Sequence, residues 1–186
     1  MTDSRVDVVV TVPDELPRDL LVRTAMRTTL GVLVELIAGS RSRIILASPF
    51  LQLATTVCRG PLGVALGSAA ERGVLIDVVS TSGSMSYGDG RGLSSQRLDR
   101  SVRVSQPRPN LVDAEVMGSH AKMCLVDGDA AYVGSANFTE NGLTKHFEVG
   151  VLLRGQPAQD LWSVITRLFA EEFFVSRGWA TIETEG

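Results

Sequence analysis

Apolar positions change period several times along the chain, and each change marks an element. Residues 1–16 read as an extended arm running into Asp-Glu-Leu-Pro. Apolar residues then return at helical spacing through Leu30, Leu33, Val34 and Ile37 and stop at Gly39, which predicts an amphipathic helix. "RIILASPFL" is a short apolar run closed by a proline, the pattern of a buried strand. Leu62, Ala65, Leu66, Ala69 and Ala70 follow Pro61 at helical spacing, Gly73 ends the run, and "VLIDVVS" supplies another strand. Strand, helix and strand in this order predict a βαβ unit.

"VRVSQ", "AKMCLVD", "AAYVGSA" and "FEVGVLLRG" predict four further strands separated by turn residues. Leu161, Val164, Ile165, Leu168 and Phe169 then share one face of a last helix, expected to run to Gly178. The whole reads as one α/β domain, a mixed and mostly parallel sheet flanked by helices. Its expected division is an N-terminal arm and helix over 1–39, a body over 40–178 and a tail over 179–186. The glycine- and serine-rich stretch 81–96 is either a surface loop or a lid over a site.

A length of 186 residues with 44% hydrophobic content suits one packed core. The net charge of -3 argues against a protein that binds polyanions by being basic everywhere, so any such site must be local. Cys58 and Cys124 have no metal-type spacing and read as small core residues in a reducing cytoplasm. No basic-then-apolar leader opens the chain, and charges interrupt the apolar runs before they reach membrane-spanning length. A cytoplasmic protein without a membrane partner is expected. Asp77 and Glu71 read as solvent-side or capping charges.

One constellation changes the picture. If 120–126 is a strand, His120 and Lys122 share a face, and Asp127 ends the strand at a turn that it is suited to brace. A hairpin through Gly128 and Asp129 would fold Ser135 and Asn137 of the next strand back toward them. An imidazole, an ammonium, a hydroxyl and an amide around one volume suit a phosphate: a nucleophile or acid, a neutralising cation and hydrogen-bond donors. Glu148 is placed to hold the His120 ring by its other nitrogen. Lys145-His146 reads as an exposed polar pair before the next strand. Arg91, Arg97, Arg100, Arg103 and Arg108 form a local basic segment with only Asp99 as counter-charge, either lining a groove for a phosphate backbone or forming a solvated surface.

His120, Lys122, Asp127, Gly134, Ser135 and Asn137, in the pattern HxKxxxxD, six residues, GSxN, resemble the HKD motif of the phospholipase D superfamily, and Glu148 has the position and type that this family uses. The resemblance implies one phospholipase D-like lobe and adds Asp127 and Glu148 to the catalytic set. It implies phosphodiester cleavage through a phosphohistidine, with no metal or cofactor. Because the remaining histidine has no HxK, it also implies a two-fold homodimer in which each copy lends one motif. "ASPFL", "SQPRPNLVD", "GSHAKM", "GSANFTENGL" and "EVGVLL" together resemble the phospholipase D-like component of bacterial DISARM anti-phage systems. That points to DNA and to other defence-system subunits as partners. A non-catalytic nucleic-acid-binding or assembly subunit and a phospholipid-hydrolysing enzyme are the alternative functions.

Overall fold

The computed structural model describes residues 4–13, 26–51, 60–80, 101–108 and 119–179. In chain order the elements are β1 (Arg5–Thr11), α1 (Thr29–Ala38), β2 (Arg43–Ala47), α2 (Gly60–Glu71), β3 (Leu75–Val79) and β4 (Val102–Pro107). There follow β5 (Met123–Val126), β6 (Ala130–Gly134), α3 (Glu140–Thr144), β7 (Glu148–Arg154), α4 (Gln156–Ala170) and β8 (Phe174–Trp179). The strands form one sheet in the order β1-β7-β6-β5-β2-β3-β4-β8.

The mixed α/β architecture is the expected one, but among the described strands the parallel ladders are β2-β3 and β3-β4. The other pairs are antiparallel, which corrects the expected parallel majority. The reason lies in the connections: a parallel neighbour needs a crossover such as α2 provides, whereas β5 and β6 are joined by a tight turn and can only run antiparallel. Asp127 (φ 54°) and Gly128 (φ 81°) make that turn.

The stretch expected to be an arm contributes β1, registered on β7 from Arg5 opposite Arg154 to Thr11 opposite Glu148. Thr28 caps α1, its side chain accepting from the Gly31 amide at 3.2 Å. The last helix stops at Ala170 rather than reaching Gly178, and Glu172 (φ 55°) turns the chain back as β8 against β4. The apolar residues 173–175 carry on the helical spacing by coincidence, and their aromatic and β-branched character suits a strand.

Helices α1 and α2 cover one face of the sheet and bury Leu33, Ile37, Leu62 and Leu66 against Ile44, Val78, Cys124 and Tyr132. On the other face α4 lies over Ile45, Met123, Leu125 and Ala131. Burial pushes the Cys124 thiol up to about 12, consistent with a core residue rather than a reactive one. Among the described residues no helix is long and apolar enough to cross a membrane.

Candidate active site

The sheet register decides where the chemistry collects. The C-terminal ends of β2, β3 and β4, the start of β5, the end of β6 and the start of β7 all lie at one edge, and Ala47 pairs with Met123 there. Ligands of open α/β sheets bind outside the carboxyl ends of such strands.

Lys122 precedes β5, but its carbonyl still accepts the Gly134 amide at 3.1 Å, so the hairpin ladder reaches the site. Its side chain is buried, and Nζ donates to the His120 carbonyl at 3.1 Å. Nζ also sits 3.1 Å from His120 Nδ1 and 3.5 Å from Nε2. An ammonium can only donate, so the ring nitrogen it faces presents a lone pair. Burial lowers the Lys122 pKa, and the negative charge of Glu148 partly opposes that.

Ser135 is fixed from both sides. Its amide donates to the Val149 carbonyl at 3.0 Å, its Oγ accepts the Val149 amide at 3.1 Å, and its hydroxyl donates to the Glu148 carboxylate. The other Glu148 oxygen lies 3.8 Å from His146 Nδ1. The expected grip of Glu148 on the His120 ring is therefore replaced by Lys122 on His120 and Glu148 on Ser135. Strand register explains it: Glu148 begins β7, the neighbour of β6, and meets the residue that ends β6 before it meets the strand beyond.

Asn137 stands in a loop built on Ser48, the buried residue after β2. The Ser48 hydroxyl donates to the Phe50 carbonyl at 2.7 Å, accepts the Phe138 amide at 3.2 Å and lies 3.4 Å from Asn137 Oδ1. Gly142 closes the loop from beneath, since a Cβ there would lie 3.1 Å from the Asn137 nitrogen and closer still to its carbonyl oxygen. His120, Lys122, Ser135, Asn137 and Glu148 thus gather at one end of the sheet.

Asp127 does not join them. It ends β5 at the opposite edge and accepts from the Arg41, Ser42 and Arg43 amides at 2.7, 2.9 and 2.9 Å and from the Ser42 hydroxyl at 2.8 Å. Burial alone would raise its pKa, but these hydrogen bonds outweigh it and hold the carboxyl below the usual aspartate value. The catalytic placing is corrected here in favour of bracing the turn. The motif's five other residues, His120, Lys122, Gly134, Ser135 and Asn137, share an end; Asp127 fastens the far one.

Of the arginines, Arg91, Arg97 and Arg100 lie outside the described residues. Arg103 Nε is 2.5 Å from Asp77, and Arg108 pairs with Glu172 and donates to its carbonyl at 3.0 Å. Both described arginines are thus committed to carboxylates. Asp77, expected at the solvent side, is buried between β2 and β4, where Arg43 Nε also reaches it at 2.6 Å. The Arg43 and Arg103 guanidinium groups lie 5.1 and 5.8 Å from the Phe169 ring centroid on α4.

Sequence reasoning assigned no role to Ser48, Tyr132 or Gly142. Ser48 and Gly142 stood inside blocks noted for their resemblance, but only the fold pairs them with Asn137. Tyr132 lies across Gly134 and Gly150, where an added Cβ at Gly150 would come within 2.6 Å of its ring. Two facing glycines at Gly134 and Gly150, two residues from Tyr132 and Glu148, were the available signal.

The chain is thus a domain built on one open α/β sheet, with a lysine-histidine pair and a hydrogen-bonded serine at the carboxyl ends of its strands. A family model described as "Cardiolipin synthase, PLD-like domain" matches residues 33–172, and the chain belongs to this phospholipase D-like family. It is 26% identical over 182 residues to the DISARM protein DrmC of Bacillus paralicheniformis, covering 95% of this chain and 68% of DrmC. It is 37% identical over 103 residues to phospholipase D Z of Dictyostelium discoideum, covering 53% of this chain and 24% of that protein. Among solved structures, NucT from Helicobacter pylori superposes with a TM-score of 0.63 at 18% identity, covering 94% of this chain and 99% of NucT.

Proposed function

We propose that this chain is half of a metal-independent phosphodiesterase acting on nucleic acid, completed by a second copy, in bacterial antiviral defence. The observation that carries this reading is the buried Lys122 ammonium held against His120 beside an ordered Ser135. A phosphodiester entering the site would draw the ammonium onto its non-bridging oxygens and free the imidazole lone pair. That nitrogen attacks phosphorus, forming a P–N bond as the P–O bond to the leaving oxygen breaks. The second copy's His120, starting as imidazolium, gives its proton to that oxygen. Water then loses a proton to this now neutral imidazole, attacks phosphorus and breaks the P–N bond, restoring both rings. Ser135 and Asn137 steady the phosphoryl oxygens, and Glu148 positions the Ser135 hydroxyl.

The likeness to DrmC supports the defence setting, and the motif's single occurrence supports the dimer. The match to phospholipase D Z favours a second substrate class, phospholipid head groups, through the same chemistry. The test is cleavage of single- and double-stranded DNA in EDTA, alongside phosphatidylcholine vesicles, at a concentration where sedimentation finds the dimer. Wild type should cut DNA and leave vesicles intact, with His120→Ala slower by roughly 1,000-fold or more. Equal cleavage by His120→Ala overturns the mechanism, head-group release alone moves the substrate to lipid, and no turnover by wild type leaves a binding subunit.

A further inference from the structure

The chain holds two histidines, and the fold brings both to the same end of the sheet. Lys145 and His146, neighbours and both exposed, divide between two carboxylates. Lys145 Nζ lies 2.6 Å from Glu140 Oε1, whereas His146 Nδ1 lies 3.8 Å from Glu148 Oε1. The backbone fixes this arrangement. The His146 and Lys145 amides both donate to the Asn141 carbonyl, at 2.8 and 2.9 Å, so the imidazole stands on the same turn whose Gly142 underlies Asn137. The His146 side chain is 61% exposed and that of Glu148 only 13%, which puts the imidazole on the solvent side of the carboxylate.

Glu148 is the junction of the site. One oxygen takes the Ser135 hydroxyl, the other faces His146, and its charge also acts on the Lys122 ammonium that sits against His120. A carboxylate in this place works against a phosphodiester, because it repels the anion and competes with it for Lys122. A positive charge on its outer side offsets both effects, and histidine is the side chain that gains or loses such a charge between about pH 5 and 8. The other charged groups around His146 are Glu140 and Lys145 of the α3 turn, which pair with each other, and Lys122 and His120 beyond Glu148. From β1, Thr11 stands opposite Glu148 without a charge, and Arg5 and Asp7 pair at the far end of that strand. Glu35 of α1 is held by Arg27 and Arg154. Burial, with the Glu148 charge adding to it, raises the Tyr132 pKa, so that phenol stays neutral throughout.

We infer that His146 is a positioning residue for phosphate uptake: its imidazolium pairs with Glu148 and leaves Lys122 to the substrate, so the site takes a phosphodiester more tightly in mild acid than in mild base. The inference rests on the phosphate-handling reading above and adds a residue outside the HKD motif. The sign follows from linkage. A proton on His146 strengthens uptake, so affinity is greatest below the titration of the ring and falls as pH rises through it.

The test is binding of dimethyl phosphate, a phosphodiester whose charge is constant across the range, followed by phosphorus NMR from about pH 5 to about pH 8.5. It is measured in the His120→Ala background, which removes turnover and the other titrating ring. Adding His146→Gln should weaken binding roughly fivefold near the acid end and leave it unchanged near the basic end, which flattens the pH dependence. His146→Arg, with a permanent charge, should carry the acid-side affinity through to the basic end. Where Glu148→Gln is also present, His146→Gln should lose its effect. Melting curves on each variant confirm folding, which the exposed ring and the backbone nature of the Asn141 bond favour. A pH dependence that His146→Gln leaves intact overturns the inference. So does an effect of equal size without Glu148, which would put the ring on the substrate itself. Wild type that binds the diester but cleaves no DNA removes the phosphodiesterase reading and leaves this one, whereas no binding by any form removes both.

Discussion

Lys122 carries the main conflict between folding and function. A buried ammonium has lost part of its hydration, and the depressed pKa records that burial makes the charged form less favourable than it is in water, with Glu148 offsetting part of that. Lys122→Met should raise stability by about 1 kcal/mol in urea unfolding while abolishing phosphodiester cleavage, since a cation held ready for phosphate costs the folded state. Asp127 behaves in the opposite sense. Its folded pKa lies below the usual value of 3.8, so its contribution is complete above that value and disappears as pH falls through the folded pKa. Asp127→Ala should lower stability by roughly 2 kcal/mol near neutrality and narrow the gap to wild type in strong acid, as urea midpoints across that range would register. Ser135 geometry and cleavage per folded molecule should change little, because Asp127 is tied to residues 41–43 at the far edge.

At the level of elements, β6 and β7 are drawn close by what they lack. Tyr132 lies over Gly134 and Gly150, and a Cβ at Gly150 would meet the Tyr132 ring at 2.6 Å and the Val133 carbonyl at 2.8 Å. Gly150→Ala should cost about 2 kcal/mol in thermal or urea unfolding and lower cleavage by shifting Glu148 against Ser135. Adding Tyr132→Leu to it should recover part of both. Much of this was legible in the chain: the βαβ unit, the β5–β6 hairpin and the His120, Lys122, Ser135 and Asn137 grouping follow from periodicity and spacing. Three features were not. The β8 strand was hidden because residues 173–175 carry on the spacing of α4. The Glu148–Ser135 contact depends on which strand lies beside which, a matter of sheet order rather than sequence distance. Asp77 looked like a surface charge because its two arginine partners, at 43 and 103, lie on separate strands.

In the whole molecule the seam between β2 and β5 joins the antiparallel strands to the parallel ones, and β2 is fastened to the β5–β6 hairpin at both ends. Asp127 binds the residues that begin β2, while Ser48 just beyond its end supports the loop that carries Asn137. His120 and Lys122 stand at one end of β5 and Asp127 at the other. A sequence signature that reads as a single unit is therefore divided by the depth of the sheet between reaction and anchorage. The two can fail separately. On the dimeric reading proposed above, a copy that has lost His120 but kept Asp127 would fold and pair with intact copies as readily as they pair with each other. Such a copy is a poison, not merely a casualty. Equal mixing of His120→Ala with wild type, followed by exchange of subunits, should leave about a quarter of the wild-type activity, the share of dimers with two intact histidines, rather than half. Co-expression of both forms would then lower activity more than a simple deletion of the second.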